Sequence, residues 1–554
     1  MSSLSLTLSG AARAAAENQV PGLVDHEFAS RLAAKDHTLW GPAAEDEASK
    51  RLGWVALFED SRALLPRISS LREELAAEGV TRVVLAGMGG SSLAPEVICA
   101  TEGAELTVLD STDPQHVTAV VVAEIEKTVL VVSSKSGSTV ETDSQRRIVQ
   151  QAFRQAGIDP RSRTVVVTDP GSPMHEQSTA DGVRAVFEAD PSVGGRYSAL
   201  TAFGLVPSGL AGADVASLLD DAEETMSILS EDDPENPGLR LGAALGGTGT
   251  RTDGTLRDKL VITDAGSPLV GLGAWIEQLI AESTGKEGTG VLPVIVHDGE
   301  PELTSQADDL LITQIVDPDA EETASVDGDA AETVASPHVV RTGGSLGAQF
   351  ILWEVATVVA GSLLGINPFD QPDVESAKAA ARGLLDSPAP EAGEAVTDGA
   401  VEIRVSGDES LLTNGQASLL ETLRTLTARV PEAGYLAVMA YLDRTSETEL
   451  EDIRPQLAAS TGRPVTFGWG PRFLHSTGQF HKGGPHVGVF LQITAETPED
   501  VEVPERPFTL GRLIAAQAAG DAQVLAGHGM PVLQLHLTDR EAGLKQIIEA
   551  VGSL

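Results

Sequence analysis

The segment VVSSKSGSTVET, residues 131–142, packs Ser133, Ser134, Lys135, Ser136, Ser138 and Thr139 between an apolar run and a helical pattern. Hydroxyls, loop amides and one ammonium in a short turn are what a phosphate needs, because it is held by several short donors converging from a loop that cannot relax. Helix capping by Ser138 or Thr139, with Glu141 as box partner, would account for one hydroxyl but not for the whole donor set. A second loop, GMGGSSLAPE at Gly87–Glu96, follows another apolar run and opens a helix. Its glycines allow close backbone approach, and the helix N-terminus favours an anion. Its spacing is not that of the dinucleotide fingerprint, although Asp110 could be proposed as a ribose ligand.

These loops need a scaffold that presents strand ends to a ligand. From about Thr81 the chain alternates short β-branched runs with helical periodicity, the pattern of a parallel α/β sheet. TRVVLAGM, ELTVLDST, TVLVVSS and RTVVVTD read as strands, with helices predicted over PQHVTAVVVAEIEK and from Ser138 to Ala156. A second series contains KLVITDA, VLPVIV and DLLITQIVD as strands and Gly271–Thr284 as a helix. A third offers GYLAVMAYL, RPVTFGW, HVGVFLQI and PVLQLHL, then a helix over Arg540–Val551. The predicted organisation is an N-terminal helical region (1–80), two α/β units (81–230 and 231–390) and a C-terminal α/β extension (400–554). Ser387–Gly399 and Asp317–Glu332 read as a linker and an acidic surface loop.

The bulk numbers bound the answer. At 554 residues the chain is too long for one core. Its net charge of -43 and pI near 4.5 argue against nucleic acid as a partner, which requires clustered Lys and Arg. An acidic surface also repels an anionic metabolite at long range, so a phosphate site has to be a local donor cluster. The single cysteine, Cys99, fits a reducing, cytoplasmic setting. The apolar stretch Leu346–Leu364 contains Gln349 and Glu354 and lacks flanking basic asymmetry, so it reads as a buried core helix rather than a membrane span.

Five motifs occur in one order: the two loops above, GGRYSALTAFGLVP at Gly194–Pro207, EQLIAESTGK at Glu277–Lys286, and GINPFDQPDVESAK at Gly365–Lys378. Together they resemble the phosphoglucose isomerase family, whose fold is two consecutive three-layer αβα sugar isomerase domains built on parallel sheets. The resemblance implies glucose 6-phosphate isomerisation through ring opening and an enediol(ate), with no cofactor and no metal. It implies a phosphate held by Ser134, Lys135, Ser136 and Thr139, with Ser138 in the same turn, and a sugar lined by Gly89, Gly90 and Ser91. Arg196 would stabilise the enediolate, a role suited to a guanidinium that keeps its proton. Glu282 would shuttle the proton between C2 and C1, Gln278 would contact the sugar one helical turn earlier, and Lys378 would assist ring opening.

The family's ring-opening histidine comes across a dimer from a loop before the NPFDQ motif, which implies a homodimer. Here only His297 and His338 lie between Glu282 and Asn367, and neither sits in a glycine-rich loop. The downstream segment GPRFLHSTGQFHKGGPHVG carries His475, His481 and His486 among glycines, and His475 or His481 is the expected relocated acid. This extended C-terminal part resembles the isomerase half of transaldolase–phosphoglucose isomerase fusions. Rival readings are an isomerase of another sugar phosphate, such as mannose 6-phosphate, and a non-catalytic sugar-phosphate sensor.

Overall fold

The computed structural model describes residues 4–247, 256–318, 338–386, 395–412 and 418–554. The chain opens with a short strand, β1 (Ser5–Leu8), and then runs through helices to residue 77. The first sheet holds β2 (Arg82–Gly87), β3 (Thr107–Leu109), β4 (Thr128–Ser133), β5 (Thr164–Thr168) and β6 (Ala185–Glu188), in the order β3-β2-β4-β5-β6. All of its pairings are parallel. β4 is buried along its whole length, which is why it reads as an unbroken apolar run rather than an alternating one.

The second sheet holds β7 (Lys259–Ala265), β8 (Leu292–Val296), β9 (Leu310–Val316) and β10 (Val339–Gly343), in the order β1-β10-β9-β7-β8. Its core pairings are parallel, but β1 adds to β10 in antiparallel register. The N-terminal region, expected to be helical, therefore contributes an edge strand to the second unit. SLTL is too short and too rich in hydroxyls to announce itself as a strand, and β10 supplies the template that makes it one.

The third sheet holds β11 (Val396–Asp398), β12 (Val401–Ser406), β13 (Tyr435–Ala440), β14 (Val465–Trp469), β15 (Gly488–Ala495) and β16 (Val532–Leu537), in the order β11-β12-β16-β15-β13-β14. β11 pairs with β12 and β12 with β16 in antiparallel register, and the remaining pairings are parallel. β11 falls within the segment expected to be a linker. Residues 387–394 of that segment, and 319–332 of the expected acidic loop, lie outside the described residues.

Six helices carry or brace the site: α1 (Leu93–Glu102), α2 (Val140–Gln155), α3 (Leu272–Thr284), α4 (Leu346–Leu364), α5 (Pro372–Asp386) and α6 (Leu510–Gly527). One continuous cluster of buried apolar side chains spans the first two units, while the third has a core of its own around Leu436, Leu491 and Leu535. α4 is the one helix among the described residues long and apolar enough to cross a membrane, and it is a core helix, buried from Leu346 to Gly361.

On α4, Glu354 is fully buried, and neither carboxyl oxygen has a hydrogen-bond partner among the described residues. Burial drives its pKa well above the ordinary carboxyl value, so the folded protein holds it neutral. An unfolded chain ionises the same group near its ordinary pKa, so its cost to folding is absent at low pH and grows as pH rises. Glu354→Gln is therefore expected to raise Tm by about 2–8 °C at pH 8 and to match the parent near pH 4, measured by thermal denaturation across pH.

Candidate active site

The hydroxyl loop leaves β4 at Ser133 and enters α2 after Thr139. Thr139 is the N-cap of α2 but its side chain makes no cap bond, and no capping box forms with Glu141. The hydroxyls instead bond one another: Ser134 Oγ to Thr139 Oγ1 at 3.1 Å, and Ser138 Oγ to Ser136 Oγ at 3.1 Å. Thr139, Val140 and Glu141 at the start of α2 line the cavity, so the positive end of the helix dipole is set beside it, an arrangement suited to an anion. Lys135 lines the same cavity, but its ammonium is paired with Asp169 at 2.7 Å, so part of the charge expected for the phosphate is already shared.

The other loop turns at Gly89, whose φ of 56° is in the left-handed region. A Cβ at Gly89 would stand 2.7 Å from Gln278 Nε2 and 2.9 Å from the His475 carbonyl oxygen. At Gly90 it would stand 2.0 Å from the Gly195 carbonyl oxygen. Both glycines are therefore sites of close backbone approach, and Gly90 seats the loop that carries Arg196.

Arg196 is 3% exposed and rigidly held. Its Nε donates to Ser283 Oγ at 2.6 Å, and Nη2 donates to the carbonyls of Pro368 and Asp370 at 2.6 and 3.1 Å. Nη1 donates to Gln371 Oε1 at 3.3 Å and lies 3.9 Å from Glu282 Oε1. Lys286 braces the same NPFDQ turn from behind, donating to the carbonyls of Asn367 and Asp370 at 2.8 and 2.6 Å. Burial, with the nearby charge of Arg196, lowers its pKa to about 8.

Glu282 sits in the last turn of α3 with its side chain 8% exposed. Gln278, one turn earlier, donates from Nε2 to Glu282 Oε2 at 3.1 Å and to the His475 carbonyl at 2.8 Å. The base candidate, its amide neighbour and the histidine loop are thereby tied together.

His475 ends a short turn, Arg472–His475, in the third unit. Its Nε2 lies 3.2 Å from Glu141 Oε1, and Gln517 of α6 donates to the same oxygen at 2.7 Å. Burial works to raise the Glu141 pKa, but the His475 hydrogen bond and the charges of His475 and Lys378 outweigh it and hold the carboxyl below its usual range. His481, the other expected acid, does not face the cavity. Its Nδ1 is 3.0 Å from Tyr435 Oη, its ring stacks on that tyrosine, and burial, then the charge of Lys482, lowers its pKa to about 3. Paired with Tyr435 and absent from the cavity lining, His481 is not placed to reach a substrate there, so of the two expected histidines only His475 is at the cavity.

These groups border one cavity of about 670 Å³. Gly89, Gly90, Ser91, Ser134, Lys135, Ser136, Ser138, Thr139, Arg196, Gln278, Glu282, Lys378 and His475 all line it. Sequence reasoning does not anticipate Arg51, Glu141, Gln371, Arg382, Lys482 and Gln517, which line it as well. Gln371 and Lys482 lie inside motifs already in view, and Glu141 has the local look of a cap. Arg51 and Gln517 carry no local signal. Among the described residues no group of three or more His, Cys, Asp and Glu side chains could hold a metal.

Two parallel α/β units that set a hydroxyl-rich loop across a cavity from a buried carboxylate and guanidinium define a sugar isomerase fold. The sequence pattern of phosphoglucose isomerase matches residues 62–291. A probable glucose-6-phosphate isomerase of Natronomonas pharaonis is 31% identical over 393 residues, 63% of this chain and 89% of that one. The glucose-6-phosphate isomerase of Rubrobacter xylanophilus is 30% identical over 361 residues, 55% of this chain and 83% of that one. Among solved structures, a hypothetical protein from Thermus thermophilus superposes with a TM-score of 0.55 at 25% identity, covering 69% of this chain and all of that one. A glucose-6-phosphate isomerase from Chlamydia trachomatis shares the fold at a TM-score of 0.53 and 18% identity, covering 68% of this chain and 85% of that one. The chain belongs to the phosphoglucose isomerase family.

Gly90→Ala should force the two loops apart and displace Arg196. Misplacement of a reacting group by about 1 Å costs on the order of 10²-fold, so kcat/KM is expected to fall by about that factor. Overpacking should cost stability by only ~1–3 kcal/mol, leaving a folded protein by circular dichroism.

Proposed function

We propose that the chain interconverts D-glucose 6-phosphate and D-fructose 6-phosphate, as the names of its relatives indicate for those proteins. The observation that carries the reading is the placement of Glu282, Arg196 and the Ser134–Thr139 turn on one cavity. The phosphate is taken by the hydroxyls and amides of that turn, with Lys135 and Arg51 beside it. The sugar then lies along Gly89, Gly90 and Ser91 toward Glu282.

Ring opening breaks the C1–O5 bond, moves a proton to O5 and takes one from O1. His475 and Lys378 are the groups assigned to that step, with Glu141 orienting the imidazole. Glu282 then removes the C2 proton, and the charge that builds on O1 meets the Arg196 guanidinium. Because the carbonyls of Pro368 and Asp370 already hold Arg196, little reorganisation is needed when the charge develops. The O2 proton passes to O1, and Glu282 returns its proton to C1, giving the ketose. No cofactor enters the scheme. The reaction serves glycolysis and gluconeogenesis, and we place it in the cytoplasm. We also propose a homodimer; since His475 comes from the same chain as Glu282, the second copy would not be needed to supply that histidine.

A coupled assay for fructose 6-phosphate formed from glucose 6-phosphate, without added metal, tests the reading. General acid–base groups contribute about 10²–10⁴-fold, so Glu282→Gln should lose activity on that scale while remaining folded. A Glu282→Gln enzyme running at the parental rate would remove Glu282 as the base. Turnover of mannose 6-phosphate in preference to glucose 6-phosphate would reassign the substrate.

A further inference from the structure

We infer that Arg472 is a positioning residue: a closed square of two guanidiniums and two carboxylates anchors the third unit to the first and fixes the turn that presents His475. The inference rests on the assignment of His475 to ring opening and deepens it by giving the C-terminal extension a role.

Asp110, at the end of β3, is fully buried. Its Oδ1 accepts from Arg444 Nε at 3.1 Å and its Oδ2 from Arg472 Nη1 at 2.5 Å. Glu96, in the first turn of α1, completes the square: Oε1 accepts from Arg444 Nη2 at 2.9 Å, and Oε2 is paired with Arg472 Nη2 at 2.6 Å. Each arginine thus reaches both carboxylates, and two positive charges meet two negative ones. Two long cationic side chains are held in one geometry by fork-shaped donors, which a lysine could not reproduce.

The two arginines differ in the chain segment that each one anchors. Arg444 leads into a loop that folds back on Asp443, whereas Arg472 begins the turn that ends at His475. That turn lies against Gly89, receives the Gln278 hydrogen bond on the His475 carbonyl, and continues to Ser476, whose Oγ donates to Glu277 at 3.3 Å. One end is therefore pinned by Arg472 and the other by α3, leaving the imidazole between Glu141 and the cavity. Neighbouring contacts secure the same junction without touching the turn: His116 to Asp443 at 3.0 Å and Arg540 to Asp113 at 2.7 Å. They hold the unit in place, and Arg472 sets the direction of the histidine.

The test compares Arg472→Gln with Arg444→Gln in the full chain. Either change leaves both carboxylates one arginine, so both variants are expected to fold with a lowered Tm, checked by circular dichroism and thermal denaturation. Arg472→Gln should lower kcat for glucose 6-phosphate by about 10–10²-fold, toward the low end of what one acid–base group supplies, with KM within about 3-fold of the parent. Its affinity for 5-phospho-D-arabinonate, an open-chain anion that needs no ring opening, should stay within about 2-fold, because a group that acts only in ring opening makes no contact that this ligand requires. Arg444→Gln should lose a similar amount of Tm yet keep kcat within about 3-fold. Equal losses of kcat in the two variants, or a parallel loss of arabinonate binding in Arg472→Gln, would reduce the square to a structural clamp and overturn the inference. Full turnover by His475→Ala would overturn it by a different route, by removing the histidine whose position is at issue.

Discussion

A guanidinium sealed inside the protein, 3.9 Å from a buried carboxylate, is the constraint around which the rest is arranged. Neither group can be taken from water cheaply, and such a charge is tolerable only when every donor has an acceptor. The chain answers most of that demand with four acceptors, the backbone carbonyls of Pro368 and Asp370 and the side-chain oxygens of Ser283 and Gln371, and Arg196 also lines the cavity. Three motifs far apart in sequence converge because this one side chain needs all of them. Lys286 and Tyr197 reinforce the same turn, the tyrosine through its own contacts with Ser283 and the Pro368 carbonyl.

Charge is distributed against the grain of the composition. The chain has 81 acidic and 38 basic residues, yet the cavity lining contains Arg51, Lys135, Arg196, Lys378, Arg382 and Lys482 against Glu141, Asp169 and Glu282. A dianionic phosphate approaching this protein meets a repulsive exterior and an attractive interior. Binding must then come from short-range, preorganised donors, since long-range steering works in the wrong direction. The hydroxyl turn before α2 fits that requirement better than a basic patch would.

Much of this is legible in the sequence, for physical reasons. Strands buried on both faces appear as continuous β-branched runs, so β2, β4, β5, β7 and β9 stand out. β12, written VEIRVS, alternates with charge because one face is half exposed, and it escapes notice, as do the short β1, β6 and β11. The motifs lead to Glu282, Arg196 and Lys378, and all three line the cavity. Two histidines six residues apart cannot be separated by reading. The helix Gly478–Gly483 turns His481 toward Tyr435, while His475 precedes it and faces Glu141. Glu141 looks like a helix cap because its partners, His475 and Gln517, come from more than 300 residues away. Local propensity is silent about such contacts.

The proposed mechanism requires phosphate and reacting carbons to be gripped at once within the single cavity that the Ser134–Thr139 turn, Arg196 and Glu282 all line, and every assigned role depends on that. A crystal structure of the complex with 5-phospho-D-arabinonate tests it most directly. Phosphate oxygens should be bonded to the turn from Ser134 to Thr139, with the carboxylate against Arg196 and the Glu282 carboxyl beside the adjoining carbon. A phosphate seated instead between Arg382 and Lys482, with the carboxylate out of reach of Arg196, would contradict it.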